Sequence, residues 1–144
     1  MNWDYVAGFI DGEGSIIIKP PRVRLYISNT NKNILVEIKN FVGAGTVSEV
    51  KRKLKPNWNR QYSWTLCDHK EVLRILKQLE NRIILKKHLG DEAIKYIENK
   101  RWIGFYLSRE ELEKVKNLPS RKAAKELGVS AFSILKYSKE YNIR

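Results

Sequence analysis

Five residues near the start of the chain could do chemistry together. They are Gly8, Asp11, Gly12, Glu13 and Gly14, inside "YVAGFIDGEGS" (Tyr5 to Ser15). Trp3 to Asp11 has the pattern of an apolar helix, with Val6, Phe9 and Ile10 as bulky members and Gly14 as its stop. The two acids therefore fall at a helix C-terminus, where the macrodipole already concentrates negative charge. Glu13 has no basic neighbour within five residues in sequence. A divalent cation would supply the missing charge, and hard carboxylate and carbonyl oxygens suit Mg²⁺. Gly8 and Gly12 are four apart and share a helix face, so together with Ala7 they allow a second backbone to come close.

The rest of the composition points to a polyanionic partner. The chain has 144 residues, 28 Lys and Arg against 16 acids, and a formal charge of +12. Its isoelectric point is near 9.8. A chain of this size with this excess fits nucleic acid. No strongly amphipathic basic helix supports a membrane surface, and no apolar run spans a bilayer. The single cysteine, Cys67, excludes an intramolecular disulfide and a cysteine-based zinc site, and His69 and His88 have no metal-ligand spacing. With no secretory signal pattern, the expected setting is intracellular, cytoplasmic or organellar.

Hydrophobic patterning then places these residues on elements. Ser15 to Lys19 is a β-branched run ended by Pro20-Pro21, and Arg22 to Ser28 alternates, with Val23, Leu25 and Ile27 on one face. Thr30-Asn31 opens a helix through Asn40 with the stripe Ile34, Leu35, Ile38, Phe41. Thr46 to Lys53 and Asn59 to Leu66 read as a second hairpin. Asp68 caps a helix carrying Val72, Leu73, Ile75, Leu76 and Leu79, and another helix is expected near Asp91 to Asn99. The order is αββαββα, an α+β unit over residues 1–102. The segment 103–144 differs. It opens with a capping box, Ser108 with Glu111, in a helix expected over Ser108 to Asn117. "SRKAAKELGVSAFSILKY" then has the pattern of a helix-turn-helix, with Ser120 and Ser130 as caps and Gly128 in the turn.

"VAGFIDGEG" (Val6 to Gly14) resembles the nine-residue signature of the LAGLIDADG homing endonucleases: apolar, Ala, Gly, apolar, Ile, Asp, small, acid, Gly. It also opens the element order of that family. The resemblance covers about residues 3 to 100. The C-terminal piece is similar to helix-turn-helix units found beside intron-encoded nucleases. What the resemblance implies is specific. Glu13 would be the metal ligand, joined by the Gly12 carbonyl, with Mg²⁺ as cofactor and Mn²⁺ as a substitute. Asp11 would shape the helix end. Many members have Asp where this chain has Glu13. A basic residue near the phosphate matches Lys86, with Lys87 as the alternative, and a polar residue at the end of the second strand matches Asn31.

The implied activity is site-specific hydrolysis of double-stranded DNA. Two strands need two sites and the chain has one motif, so a homodimer is implied, with Val6, Ala7, Gly8, Ile10, Asp11 and Gly12 at the two-fold axis and a long, roughly palindromic target. The polar strand faces would read the DNA in a major groove. Arg22, Arg24, Tyr26 and Ser28 form one set and Gln61, Ser63 and Thr65 another, with Ser48, Arg52 and Lys53 from the third strand. Arg60, with Lys51 and Lys55, would hold phosphates. Two other readings fit the same fold: an RNA-binding maturase acting on its host intron, and a DNA-binding regulator without catalysis.

Overall fold

The computed structural model describes residues 1–51, 55–100 and 107–143. Eleven elements follow one another among the described residues. They are α1 (Trp3–Glu13), β1 (Gly14–Lys19), β2 (Arg22–Asn29), α2 (Lys32–Val42), β3 (Thr46–Glu49), β4 (Tyr62–Leu66), α3 (His69–Leu79), α4 (Lys87–Asn99), α5 (Arg109–Lys114), α6 (Ser120–Leu127) and α7 (Ala131–Glu140). The αββαββα order expected over the first part is present. The chain folds as two units, Met1–Ile17 with Val23–Ile94, and Ile18–Arg22 with Lys95–Arg144. The division falls inside α4, earlier than the expected change near residue 102.

In the first unit the strands form one four-stranded sheet in the order β1-β2-β4-β3. β2 and β4 run antiparallel, with Tyr26 opposite Thr65 and Ser28 opposite Ser63. β3 and β4 are also antiparallel, with Ser48 opposite Ser63. Period-two alternation sends Val23, Leu25, Ile27, Trp64 and Leu66 to one face, where they are buried. The stripes of three helices complete that core. They are Val6, Ala7 and Ile10 of α1, Leu35, Ile38 and Val42 of α2, and Val72, Ile75, Leu76 and Leu79 of α3. Each buried aliphatic side chain of this kind contributes about 1.5–3 kcal/mol, so these stripes hold the helices on the sheet. The Trp64 indole N–H donates to the Ala44 carbonyl at 3.0 Å. Gly45 lies against that ring with φ +94°, and a Cβ there would collide with the indole nitrogen.

Several boundaries differ from the sequence expectation. β4 starts at Tyr62 rather than Asn59, and β3 ends at Glu49. α4 starts at Lys87 rather than Asp91, and α5 ends at Lys114 rather than Asn117. Ser120 does not cap α6. Pro119 holds that position, because its carbonyl accepts from Lys122 N at 2.8 Å and Ala123 N at 3.0 Å, which makes Ser120 the first helical residue.

The second unit has its own core of Leu107, Leu112, Val115, Ala123, Ala124, Val129 and Ile134. The capping box of Ser108 and Glu111 is formed. Gly128 turns the chain between α6 and α7 with φ 65°, and a Cβ there would collide with the Asn99 carbonyl. Ser130 caps α7 by accepting from Ser133 N at 3.0 Å. On α7, Ser138 is 2 % exposed, and its hydroxyl has no hydrogen-bond partner among the described residues. A buried hydroxyl without a partner costs about 1–3 kcal/mol, so Ser138→Ala is expected to stabilise the protein by about 1 kcal/mol. Urea unfolding at neutral pH reads this as a higher midpoint; a lower midpoint would show that the hydroxyl is paired.

Candidate active site and nucleic-acid interface

The structure makes sense of the acids at the end of α1 through a segment more than seventy residues away. Asp11 accepts three backbone N–H groups: Ile84 at 2.6 Å, Leu85 at 3.2 Å and Lys86 at 3.0 Å. In return the Lys86 ammonium donates to the Ile10 carbonyl at 3.0 Å and to the Asp11 carbonyl. The orphan carbonyls that end any helix are thus partly capped by a lysine, which also offsets the negative end of the dipole. Burial raises the pKa of the Asp11 carboxyl. The N–H groups of Ile84, Lys86 and Leu85, and then the Lys86 charge, outweigh it, and the group ends below its ordinary value. Asp11 is a structural clasp.

Glu13 is placed differently. It is the last residue of α1, it is exposed, and its carboxylate has no hydrogen bond or ion pair among the described residues. The Gly12 carbonyl beside it belongs to the last turn, whose carbonyls lack intrahelical partners. Gly14 follows with its N–H on the Ile10 carbonyl. It is glycine because a Cβ there would come within 2.8 Å of the Ile10 backbone. No group of three or more His, Cys, Asp or Glu side chains able to hold a metal occurs among the described residues. The donors on hand are one free carboxylate and nearby carbonyls. That set fits Mg²⁺, which keeps several waters and is bound through one or two carboxylates plus substrate phosphates.

Lys86 and Asn31, both expected at the catalytic site, make contacts within the chain. Lys86 does reach this end of α1, but its ammonium is engaged on the helix carbonyls. Lys87 donates to the Glu80 carbonyl at 2.9 Å and lies 3.7 Å from Asp91. Asn31 is corrected. β2 ends at Asn29, and Asn31 is the N-cap of α2, its side-chain oxygen accepting from Asn33 N at 3.0 Å and Ile34 N at 3.4 Å. The sequence "NTNKN" suits a cap as well as a strand end, and the cap wins because a helix start needs acceptors for its free N–H groups.

The face of α1 also needs correction. Val6, Ala7 and Ile10 are at most 1 % exposed and point into the chain's own core, where α1 packs on α3. They leave Tyr5, Gly8 and Gly12 exposed, with Phe9 partly so. The Tyr5 and Phe9 rings lie 5.9 Å apart. A Cβ on Gly8 or Gly12 would meet nothing within 4 Å. Ile84 and Leu85, in the segment clasped by Asp11, are 83 % and 71 % exposed. Sequence reasoning missed Tyr5, Phe9, Ile84 and Leu85 on this side. The spacing 5, 8, 9, 12 was the available signal for the helix.

The face of the sheet opposite the helices carries the expected polar set. Arg24 and Tyr26 stand on β2 with the guanidinium 5.8 Å from the ring centre. Arg22 is exposed, and Ser28 is partly so. Gln61 donates to the Ser28 hydroxyl at 3.2 Å, and the Ser48 and Ser63 hydroxyls are 3.5 Å apart. Ser63 is only 5 % exposed, covered by its cross-strand neighbours, so it supports this face more than it presents on it. Thr65 is partly exposed. Arg60 is 3.8 Å from Glu49. Arg52 and Lys53 lie outside the described residues.

This sheet, with its helices on one face and the α1 C-terminus bearing the motif acids, has the fold of the LAGLIDADG homing endonucleases. Three solved structures document it. The homing endonuclease I-CvuI, in complex with its target in the presence of calcium, aligns with TM-score 0.60 and 18 % identity over 96 % of this chain and 92 % of that one. The homing endonuclease I-TnaI aligns with TM-score 0.55 and 16 % identity over 100 % and 99 %. The archaeal intron-encoded homing endonuclease I-Vdi141I, complexed with DNA, aligns with TM-score 0.54 and 20 % identity over 93 % and 82 %. By sequence the chain matches no family model and no curated protein. No helix among the described residues is long and apolar enough to cross a membrane.

Proposed function

We propose that the chain is a site-specific endonuclease of double-stranded DNA that works as a homodimer inside the cell, with Mg²⁺ as cofactor and Mn²⁺ able to replace it. The observation that carries this reading is Glu13: an exposed carboxylate without a partner among the described residues, at a helix end where the neighbouring acid, Asp11, is fully engaged. The fold is shared with homing endonucleases over nearly the whole chain. The charge of +12 suits a phosphate backbone.

Glu13 and the Gly12 carbonyl would hold the metal. When bound there, Mg²⁺ would polarise the scissile phosphate and lower the pKa of a bound water. The chain's own residues do the positioning. Asp11 and Lys86 fix the end of α1, so the Glu13 carboxylate starts from a rigid point. Lys86 also keeps a positive charge beside the phosphate's expected position. Arg22, Arg24, Tyr26, Ser28, Gln61, Thr65 and Ser48 present donors and acceptors that can distinguish base pairs in a major groove. Arg60 and neighbouring lysines would hold phosphates.

The second copy is argued from the outer face of α1. Gly8 and Gly12 are open there, and Tyr5, Phe9, Ile84 and Leu85 add apolar surface that only association would cover. Two α1 helices meeting at this face would bring two Glu13 residues together, one for each strand. Gly8→Leu separates the fold from the dimer. Within the monomer the new Cβ meets nothing within 4 Å and the change removes an exposed helical glycine, so monomer stability should rise by about 0.5–1 kcal/mol. At the interface it should weaken dimerisation by about 10- to 100-fold, through an overpacking cost of about 1–3 kcal/mol. Sedimentation equilibrium reads the second effect; an unchanged dimer constant would place the interface elsewhere.

The function itself is tested by incubating the purified protein and Mg²⁺ with a plasmid library of random duplex inserts, then sequencing the ends produced. Recurrent double-strand breaks at one related set of sequences are expected. Intact plasmids under both Mg²⁺ and Mn²⁺ would contradict the proposal.

A further inference from the structure

The helix pair of the second unit carries a feature that its packing does not use. α7 buries Ile134 and Ser138 inward, while Phe132 is 75 % exposed and Leu135 is 55 % exposed. Lys136 and Lys139 are exposed on the same helix. The spacing 132, 135, 136, 139 puts all four on one face. Two bulky apolar side chains framed by two lysines are costly to leave in water and are not needed by the core. The charge around them is net positive. Between Ser120 and Tyr141 there are five basic and two acidic residues. A cavity of about 400 Å³ in the same unit is lined by Lys19, Arg121, Lys122, Lys125 and Ala131, the first residue of α7.

In a DNA-binding helix-turn-helix unit the second helix is the one that enters a major groove, and its first turns meet the base edges. Phe132 and Leu135 fall in those turns. In the major groove the only apolar group on a base edge is the C5-methyl of thymine. From the exposed pair Phe132 and Leu135 flanked by Lys136 and Lys139, we infer that α7 is a specificity helix that reads thymine methyl groups. This rests on duplex DNA being the ligand. Lys136 and Lys139 would contact backbone phosphates and add affinity without sequence preference. An apolar protein partner would also cover Phe132 and Leu135, but the excess of basic over acidic residues around them favours a polyanion.

The test begins with sites selected from a random duplex pool by the full-length protein. Each thymine in a selected site is replaced in turn by uracil, which lacks only the methyl. Binding should weaken about fourfold per contacted methyl, the equivalent of one buried CH₂ group. In Phe132→Ala and in Phe132→Ala/Leu135→Ala that sensitivity should vanish for the thymines they contact, while sensitivity elsewhere is kept. Circular-dichroism melting checks the fold of both variants. Lys136→Ala and Lys139→Ala should each reduce the salt slope by about 1 with uracil sensitivity unchanged. Wild-type binding indifferent to uracil at every thymine overturns the inference, as does equal sensitivity in wild type and variants. If that wild-type protein still cuts DNA, the nuclease reading survives alone. A protein that selects no duplex at all defeats both.

Discussion

Glu13→Gln is expected to slow strand cleavage by on the order of 10³-fold while leaving affinity for duplex DNA within about twofold, since removing a Lewis acid forfeits several kcal/mol of transition-state stabilisation. The substitution keeps the side-chain shape and removes the charge. Glu13 is exposed and makes no contact among the described residues that folding needs, so thermal stability should not change. Binding should survive because the cations proposed to face DNA are elsewhere and the protein keeps a large positive charge. Single-turnover cleavage at saturating protein isolates the chemical step. A Glu13→Gln protein that cuts at the wild-type rate would remove the carboxylate from the mechanism.

The second large effect is on stability. Asp11→Ala should destabilise the first unit by about 2–3 kcal/mol, because three backbone N–H groups lose a charged acceptor at once. The figure stays below the sum of three full penalties because Ile84 and Leu85 are exposed and water can partly replace the carboxylate. The loss should depend on pH in one direction. The folded Asp11 carboxyl has a pKa below its ordinary value, so its stabilisation is complete above the unfolded value near 3.9 and fades as pH falls through the folded value. Urea unfolding at pH 7 should therefore show a large difference between wild type and Asp11→Ala. At pH 2 to 3 the difference should shrink. An equal loss at both pH values would mean that the side chain acts through packing rather than charge. A small loss at pH 7 would break the clasp account altogether.

The elements that were legible in the sequence are those specified by local chemistry. The alternation in β2, the stripes of α2 and α3, the Asp68 cap and the box of Ser108 and Glu111 each depend on residues within one or two turns of one another. The motif that ends α1 was legible for the same reason. What could not be read was decided over distance. Lys86 was expected at the phosphate, and nothing local says that its ammonium will reach the carbonyls of Ile10 and Asp11. The orientation of α1 was misjudged because apolar residues surround the helix. Only its packing on α3 selects Val6, Ala7 and Ile10 for the inside and leaves Tyr5, Gly8, Phe9 and Gly12 outside. The cap at Asn31, by contrast, was legible from its place just ahead of the α2 stripe.

The two acids therefore divide the labour at one helix end. Asp11 and Lys86 hold each other's backbones, and the carboxylate of Glu13 is left without a partner among the described residues, where the proposed metal would bind. The central claim is that two Glu13 residues, one per copy, each serve one DNA strand. It is tested most directly with a mixed dimer, purified through two different affinity tags, in which one copy is wild type and the other carries Glu13→Gln. With Mg²⁺ and a selected duplex target, the mixed dimer is expected to nick only one strand, the wild-type dimer to cut both, and the doubly substituted dimer to cut neither. A mixed dimer that still cuts both strands at the wild-type rate would contradict the account.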